Sequence, residues 1–204
     1  MGGGGFSMEP NNLSLDQFVL SCSAKENPRI CFLPTASGDA EGYIEHFYWA
    51  FESFPCRPSH LSLQRREESD LRSFLLSQEI IYVGGGNSFN MLTLWKAHGV
   101  DRILKEAWAE GIVLSGLSAG SVCWFESCLT DSFGPDLQAM KEGLGFLKGS
   151  HCPHFDGEER RRPTYTKMVK EGNLPPGIAA DDGVALVFRG TDLIETVTSR
   201  PTAK

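Results

Sequence analysis

Three short apolar runs set the tightest limit on how this chain folds: "ICFLP" at 30–34, "EIIYV" at 79–83 and "IVLS" at 112–115. Each is too short for a helix and has no polar alternation, so neither of its faces is meant for water. A strand apolar on both faces must be covered on both faces, which is the situation of a parallel sheet under helices. The intervening stretches have helical periodicity. Residues 43–54 place Phe47, Ala50, Phe51 and Phe54 on one face, and further helices are expected at 88–98, 101–110, 119 to about 125, and from a cap at Ser69 or Asp70 to Leu76. Short strands are expected at 61–63, 177–179, 184–188 and 194–197. The expected architecture is α/β: a three-layer, doubly wound, mostly parallel sheet forming one domain over 1–204. "GGGGF" reads as the turn after a first strand, yet only Met1 precedes it, and little follows the last strand. A chain shortened at both ends is therefore expected.

In open sheets of this kind, ligands bind at the carboxyl ends of the strands. Those ends are where the small and polar residues gather here. The strand at 112–115 runs into "GLSAGS" at 116–121, a G-x-S-x-G pattern between a strand and a helix. In that context the pattern describes a nucleophile elbow. A tight strand–turn–helix corner forces the central Ser118 into a strained backbone, and glycines on either side remove Cβ atoms that would collide. The Ala119 amide then points at developing negative charge from a helix N-terminus. Serine is also a preferred helix N-cap, so the motif by itself leaves two readings open.

A second glycine-rich turn, "GGGN" at 84–87, also follows a strand and opens a helix. Its amides can approach a ligand closely. It is neither a dinucleotide fingerprint, which fails at Phe89, nor a P-loop, which needs Lys followed by Ser or Thr. "HCPHFDGEE" at 151–159 offers two candidate bases, His151 and His154.

Composition removes other classes. With 19 Lys and Arg against 26 Asp and Glu, the formal charge is −7, which argues against nucleic acid as a partner. Arg160, Arg161 and Arg162 form the one basic cluster, and acidic residues precede it; a solvated helix start explains it equally well. No apolar run approaches the ~20 residues of a membrane span. No secretory signal is visible, and Phe6 stands where a myristoylation motif wants Ser or Thr. A cytoplasmic protein is expected. The six cysteines include no C-x-x-C pair and read as reduced core residues, with no zinc site.

The blocks "VGGGNSFNML", "GLSAGS", "CPHFD" and "ADDG", in this order and spacing, resemble peptidase family S51, the aspartyl dipeptidase or peptidase E family of serine peptidases. That family is related in fold to class I glutamine amidotransferases, so a flavodoxin-like sheet is implied. The resemblance runs from "GGGGFSMEP" to "DDGVAL". It implies Ser118 as nucleophile, His154 rather than His151 as base, and the Gly86 and Ala119 amides as oxyanion hole. The acid stays open between Asp182 and Asp131, with Asp182 preferred for its place in a strand-end turn and Asp156 and Asp181 as neighbours. The resemblance also implies short peptides with an N-terminal aspartate as substrates, Arg160 and Asn87 in substrate binding, no metal or organic cofactor, and a homodimer in some members. The "LSAGS" elbow departs from the "WSAGA" of the better-described aspartyl dipeptidases. An esterase or amidase with the same machinery and a non-catalytic amidotransferase-like binding module are the competing readings. A glutamine amidotransferase would carry Cys at the elbow.

Overall fold

The computed structural model describes all 204 residues. In chain order the elements are α1 (Gly5–Met8), α2 (Ser14–Ser21), β1 (Arg29–Leu33), α3 (Glu41–Phe51), β2 (Arg57–His60), α4 (Leu71–Leu76), β3 (Ile80–Val83), α5 (Ser88–His98), α6 (Val100–Ala109), β4 (Val113–Gly116) and α7 (Ala119–Val122). Then follow β5 (Phe125–Thr130), β6 (Gln138–Met140), β7 (Leu147–Cys152), α8 (Arg161–Lys170), β8 (Gly177–Ala179), β9 (Val184–Arg189) and β10 (Asp192–Thr198).

The first sheet has the order β2-β1-β3-β4 and is parallel throughout. Period-two alternation divides its residues between two layers. Ile30, Phe32, Ile80 and Tyr82 face a core completed by Phe6, Phe47 and Phe51 from α1 and α3. Cys31, Leu33, Ile81 and Val83 face the opposite core, with Leu71, Leu75, Met91, Trp95 and Leu104 from α4, α5 and α6. Each fully buried phenylalanine contributes about 1.5–3 kcal/mol relative to exposure. Local signals agree with this layering. Asp70 accepts a hydrogen bond from the Ser73 amide and starts α4, and Asn87 accepts one from the Asn90 amide and starts α5. Gly99, at φ 71°, ends α5 in the left-handed conformation that glycine adopts without strain.

The architecture is the expected mixed α/β one with parallel sheets. Three details differ from the sequence reading. The strand expected at 61–63 lies earlier, at Arg57–His60, while Leu61 and Leu63 sit beyond it as core plugs; their hydrophobicity serves packing, not pairing. The helix after Ser118 stops at Val122, and Phe125 already belongs to β5. Finally, β5, β7 and β8 form a second parallel group with β6 antiparallel at its edge, and β9 and β10 form a separate antiparallel hairpin. Strands broken by adjacent polar residues, such as "FESCLT" with Glu126 and Ser127, hide inside a region that carries no continuous apolar run.

The first three residues run between the end of β4 and the turn before β9. The Met1 carbonyl accepts from the Ser118 amide, the Gly2 amide donates to Val184, and the Gly183 amide donates to Gly3. A parallel bridge pairs Gly3 with Asp182. This segment brings the elbow and the 181–184 turn together.

Candidate active site

Ser118 sits at φ 52° and ψ −115°, a conformation that costs a non-glycine residue on the order of 1–3 kcal/mol. The surrounding glycines make it attainable. A Cβ on Gly116 would lie 2.7 Å from the Gly120 carbonyl carbon, and one on Gly120 would collide with the Val83 carbonyl. Ser118 precedes α7 but its side chain makes no cap hydrogen bond. Its neighbours Leu117 and Ala119 are buried, whereas Ser118 is partly exposed. The capping role that the sequence left open is therefore not the one the hydroxyl performs.

The "GGGN" turn lies directly against the elbow: a Cβ on Gly85 would be 3.4 Å from Ser118 Cβ. The turn is held by hydrogen bonds from the Gly85 amide to the Tyr43 hydroxyl and from the Asn87 amide to the Ala36 carbonyl. Gly86, at φ 135°, has no room for a side chain because Ala36 fills that space. Its amide makes no backbone hydrogen bond, and the Ala119 amide, in the first turn of α7, has no partner within the helix. The two turns that meet at the serine thus each hold an amide without a backbone partner.

Beyond Ser118, His154 adopts a left-handed backbone, φ 52°. Its Nδ1 is 2.5 Å from Asp182 Oδ1. Burial by itself would raise the Asp182 carboxyl, but the hydrogen bond and charge of His154, with Arg200 and Arg161 behind, outweigh it and hold the carboxyl below its ordinary range. Glycines clear the space for the pair. A Cβ on Gly3 would collide with Asp182 Oδ1 and lie 2.8 Å from His154 Nδ1, and one on Gly157 would collide with Asp182 Oδ2. Asp156 accepts from the Asp182 amide at 2.8 Å, and the Arg200 guanidinium donates to the Asp182 carbonyl. None of Gly3, Gly157 or Arg200 stands out in the sequence as a site residue. The sequence signal at these positions is limited to glycines in "GGGGF", read there as a turn, and in "FDG".

The other candidates take different places. His151 is buried, stacked on Phe125 at 4.7 Å, and faces away from any proton transfer to substrate. Its Nδ1 hydrogen goes to the Ile178 carbonyl at 2.9 Å, so its Nε2 accepts from the Ser121 hydroxyl at 3.1 Å. Burial pushes its pKa down to about 3, so it stays neutral. The Ser121 hydroxyl also lies 2.8 Å from the Ser118 carbonyl. That carbonyl already receives the Ser121 and Val122 amides, and the hydroxyl's single hydrogen serves the imidazole. His151 thus props the elbow from below.

Asp131 is exposed, in the loop after β5, and its carboxylate has no hydrogen-bond partner; it is not joined to His154. Asp181 faces the Lys204 amide and, at 3.7 Å, Arg162. Asn87 spends its side-chain oxygen on the α5 cap and one amide hydrogen on the Ser132 carbonyl, which leaves one hydrogen for a substrate. Arg160 is exposed and bound to Asp136 at 2.7 Å and to the Pro135 carbonyl. Arg161 is buried on Glu158 and the Leu129 carbonyl, and Arg162 lies over the Phe155 ring at 4.4 Å. No cluster of three or more His, Cys, Asp or Glu side chains suited to a metal ion is present, and no helix is long and apolar enough to cross a membrane.

The chain is similar to known proteins over nearly its whole length. The model of peptidase family S51 matches residues 1–196. The uncharacterized peptidase YgaJ of Bacillus subtilis is 58% identical over 204 residues, covering 100% of this chain and 88% of its own. The uncharacterized peptidase Lmo0363 of Listeria monocytogenes is 34% identical over 172 residues, 81% of this chain and 84% of its own. Among solved structures, a protein of Listeria monocytogenes EGD-e classed with peptidase E superposes with a TM-score of 0.67 at 22% identity, covering 89% of this chain and 92% of that one. A peptidase from an acI-B1 Actinobacterium gives a TM-score of 0.66 at 22% identity, covering 97% and 85%. The structural likeness establishes a shared fold, and the sequence matches establish the family: the chain belongs to peptidase family S51.

Proposed function

We propose that the protein is a serine-type exopeptidase that hydrolyses dipeptides and other short peptides through Ser118, His154 and Asp182. One observation carries the reading. An uncommitted serine hydroxyl stands on a strained elbow, walled by the same three N-terminal residues that back the His154–Asp182 pair.

In this reading, His154 Nε2 takes the Ser118 proton as Oγ attacks the scissile carbonyl carbon. The carbonyl oxygen becomes an oxyanion between the Gly86 and Ala119 amides. His154 then gives its proton to the leaving amine, and the C–N bond breaks to leave an acyl-serine. Water, deprotonated by His154, attacks that ester, and the proton returns to Ser118 as the acid leaves. Asp182 orients the ring and stabilises the imidazolium in both halves. No metal or organic cofactor takes part. Asp131, whose carboxylate is free, is assigned to the substrate's α-ammonium rather than to the triad.

An N-terminal aspartate at the scissile residue is the substrate implied by the family. It needs an unmatched cation, and Arg160 is already matched to Asp136. The chemistry is therefore better supported than that side-chain preference. The test is labelling of the purified protein with a fluorophosphonate and hydrolysis of a dipeptide panel, each repeated with Ser118→Ala. Both signals should vanish in the variant. Hydrolysis that survives it would refute the serine mechanism.

A further inference from the structure

Two phenylalanines lie exposed at the strand ends where core-forming residues have no business. Phe89 is in the first turn of α5, three residues after Gly86, and is 39% exposed; Phe133 is in the loop after β5 and is 45% exposed. Their rings touch, with centroids 4.9 Å apart and planes 55° apart. The pair is locked in place by polar contacts beneath it. The Ser132 hydroxyl accepts from the amides of Ser88 and Phe89 at 3.0 and 3.3 Å and sits 2.8 Å from Thr130 Oγ1, and the Asn87 side chain donates to the Ser132 carbonyl at 2.9 Å. Those bonds cap α5 with the loop and fix one ring against the other. An apolar surface held this rigidly costs little ordering when a ligand covers it.

We propose that Phe89 and Phe133 form the subsite for the side chain of the residue whose carbonyl is attacked, and that this side chain is apolar, aromatic or large aliphatic. The inference rests on the serine-peptidase reading above. Its side is decided by the elements involved. The leaving amine must face His154, which donates its proton. With the carbonyl oxygen on the Gly86 and Ala119 amides and the leaving amine toward His154, the acyl Cα takes the remaining direction, past the 84–87 turn that lies against Ser118, and Phe89 is in the first helical turn that follows it. Its chemistry is decided by charge. The same loop places Asp136 on the Arg160 guanidinium, so an acidic side chain would have to displace an existing exposed ion pair, whereas the two rings offer an apolar side chain an unoccupied surface. Asp131, two residues before Phe133 and free, suits the α-ammonium of that same residue. An apolar wall with one carboxylate matches an apolar N-terminal amino acid of a short peptide.

The experiment compares Phe-Leu, Ala-Leu and Asp-Leu as substrates of the full chain, then of Phe89→Ala and Phe133→Ala. Fluorophosphonate labelling of the wild-type protein runs alongside. The expected result is a wild-type kcat/KM for Phe-Leu at least about 10-fold above those for Ala-Leu and Asp-Leu, the low end for a contact of this kind. In each variant the ratio of Phe-Leu to Ala-Leu should fall about 10-fold. Labelling with a wild-type preference for Asp-Leu, or with a ratio unmoved in both variants, would overturn the subsite while leaving the serine mechanism standing. Absence of both labelling and hydrolysis would overturn the mechanism and the subsite with it.

Discussion

Replacing Asp182 by asparagine is the sharpest probe of how this site works. The substitution keeps the size of a side chain wedged between Gly3 and Gly157, so the fold has no steric reason to change. What changes is the proton. The carboxylate accepts the Nδ1 hydrogen of His154 at 2.5 Å, which leaves Nε2 free to accept from Ser118. An amide hydrogen turned toward Nδ1 selects the opposite tautomer, with Nε2 already protonated and unable to act as base. The imidazolium formed during attack also loses its counter-charge. At 2.5 Å and an effective dielectric of about 20, that attraction amounts to about 7 kcal/mol, and partial exposure of both side chains reduces it. A loss of about 5 kcal/mol corresponds to a kcat reduced about 10³–10⁴-fold, the size of the effect when the acid of a known serine triad is replaced by its amide. The assay is dipeptide hydrolysis, with the melting temperature measured in parallel. Asp131→Asn should instead act on KM, because Asp131 has no contact with His154. If Asp182→Asn kept more than about a tenth of the wild-type kcat, or if Asp131→Asn lowered kcat more than Asp182→Asn did, the assignment of the acid would be wrong.

Three further outcomes follow from the same geometry. Gly3→Ala puts a methyl group against both Asp182 Oδ1 and His154 Nδ1, and a displacement near 1 Å should lower kcat by roughly 10²-fold; a variant as active as wild type would show that the pair tolerates movement. Ser121→Ala leaves the Nε2 of buried His151 without a donor and should lower stability by about 1–3 kcal/mol in urea unfolding, with an unshifted midpoint counting against the prop under the elbow. Burial raises the Asp16 carboxyl to about 7 from an ordinary 3.8, with one oxygen on the Tyr82 hydroxyl and the other unpartnered. The folded state therefore holds this proton more tightly than the unfolded one. The associated stability is fully present below about pH 4 and is lost as pH rises through about 7, by an amount on the order of 4 kcal/mol at most. Asp16→Asn should flatten that part of the pH–stability curve between pH 4 and 7, and parallel curves for the two proteins would refute the ionisation.

The layers of the first sheet were legible because each of their signals is local. The runs at 30–34, 79–83 and 112–115 are hydrophobic on both faces, and that is a property of the run itself. Asp70, Asn87 and Gly99 mark helix ends by their own side chains or backbone freedom. The elbow was legible for the same reason: a strand, a G-x-S-x-G and a helix follow one another within a dozen residues. The second half was less so. Strands β5 and β7 bury residues such as Ser127, Ser150 and His151, whose partners come from other elements, so their sequences read as polar loops.

The amino-acid order by itself determined the sheet class, the strained serine and the two glycine-rich turns, since each depends on neighbours along the chain. It left three questions that no local pattern answers. Ser118 had two roles open, cap or free hydroxyl. His154 and His151 stood three residues apart, and only the family resemblance favoured His154. Asp131 and Asp182 both matched an acid. Tertiary structure gave them different surroundings through contacts between residues far apart in sequence. His151 turned inward to Ile178 and Ser121, while His154 met Asp182 across 28 residues. Gly3, more than a hundred residues from either, provided the space in which that pair fits.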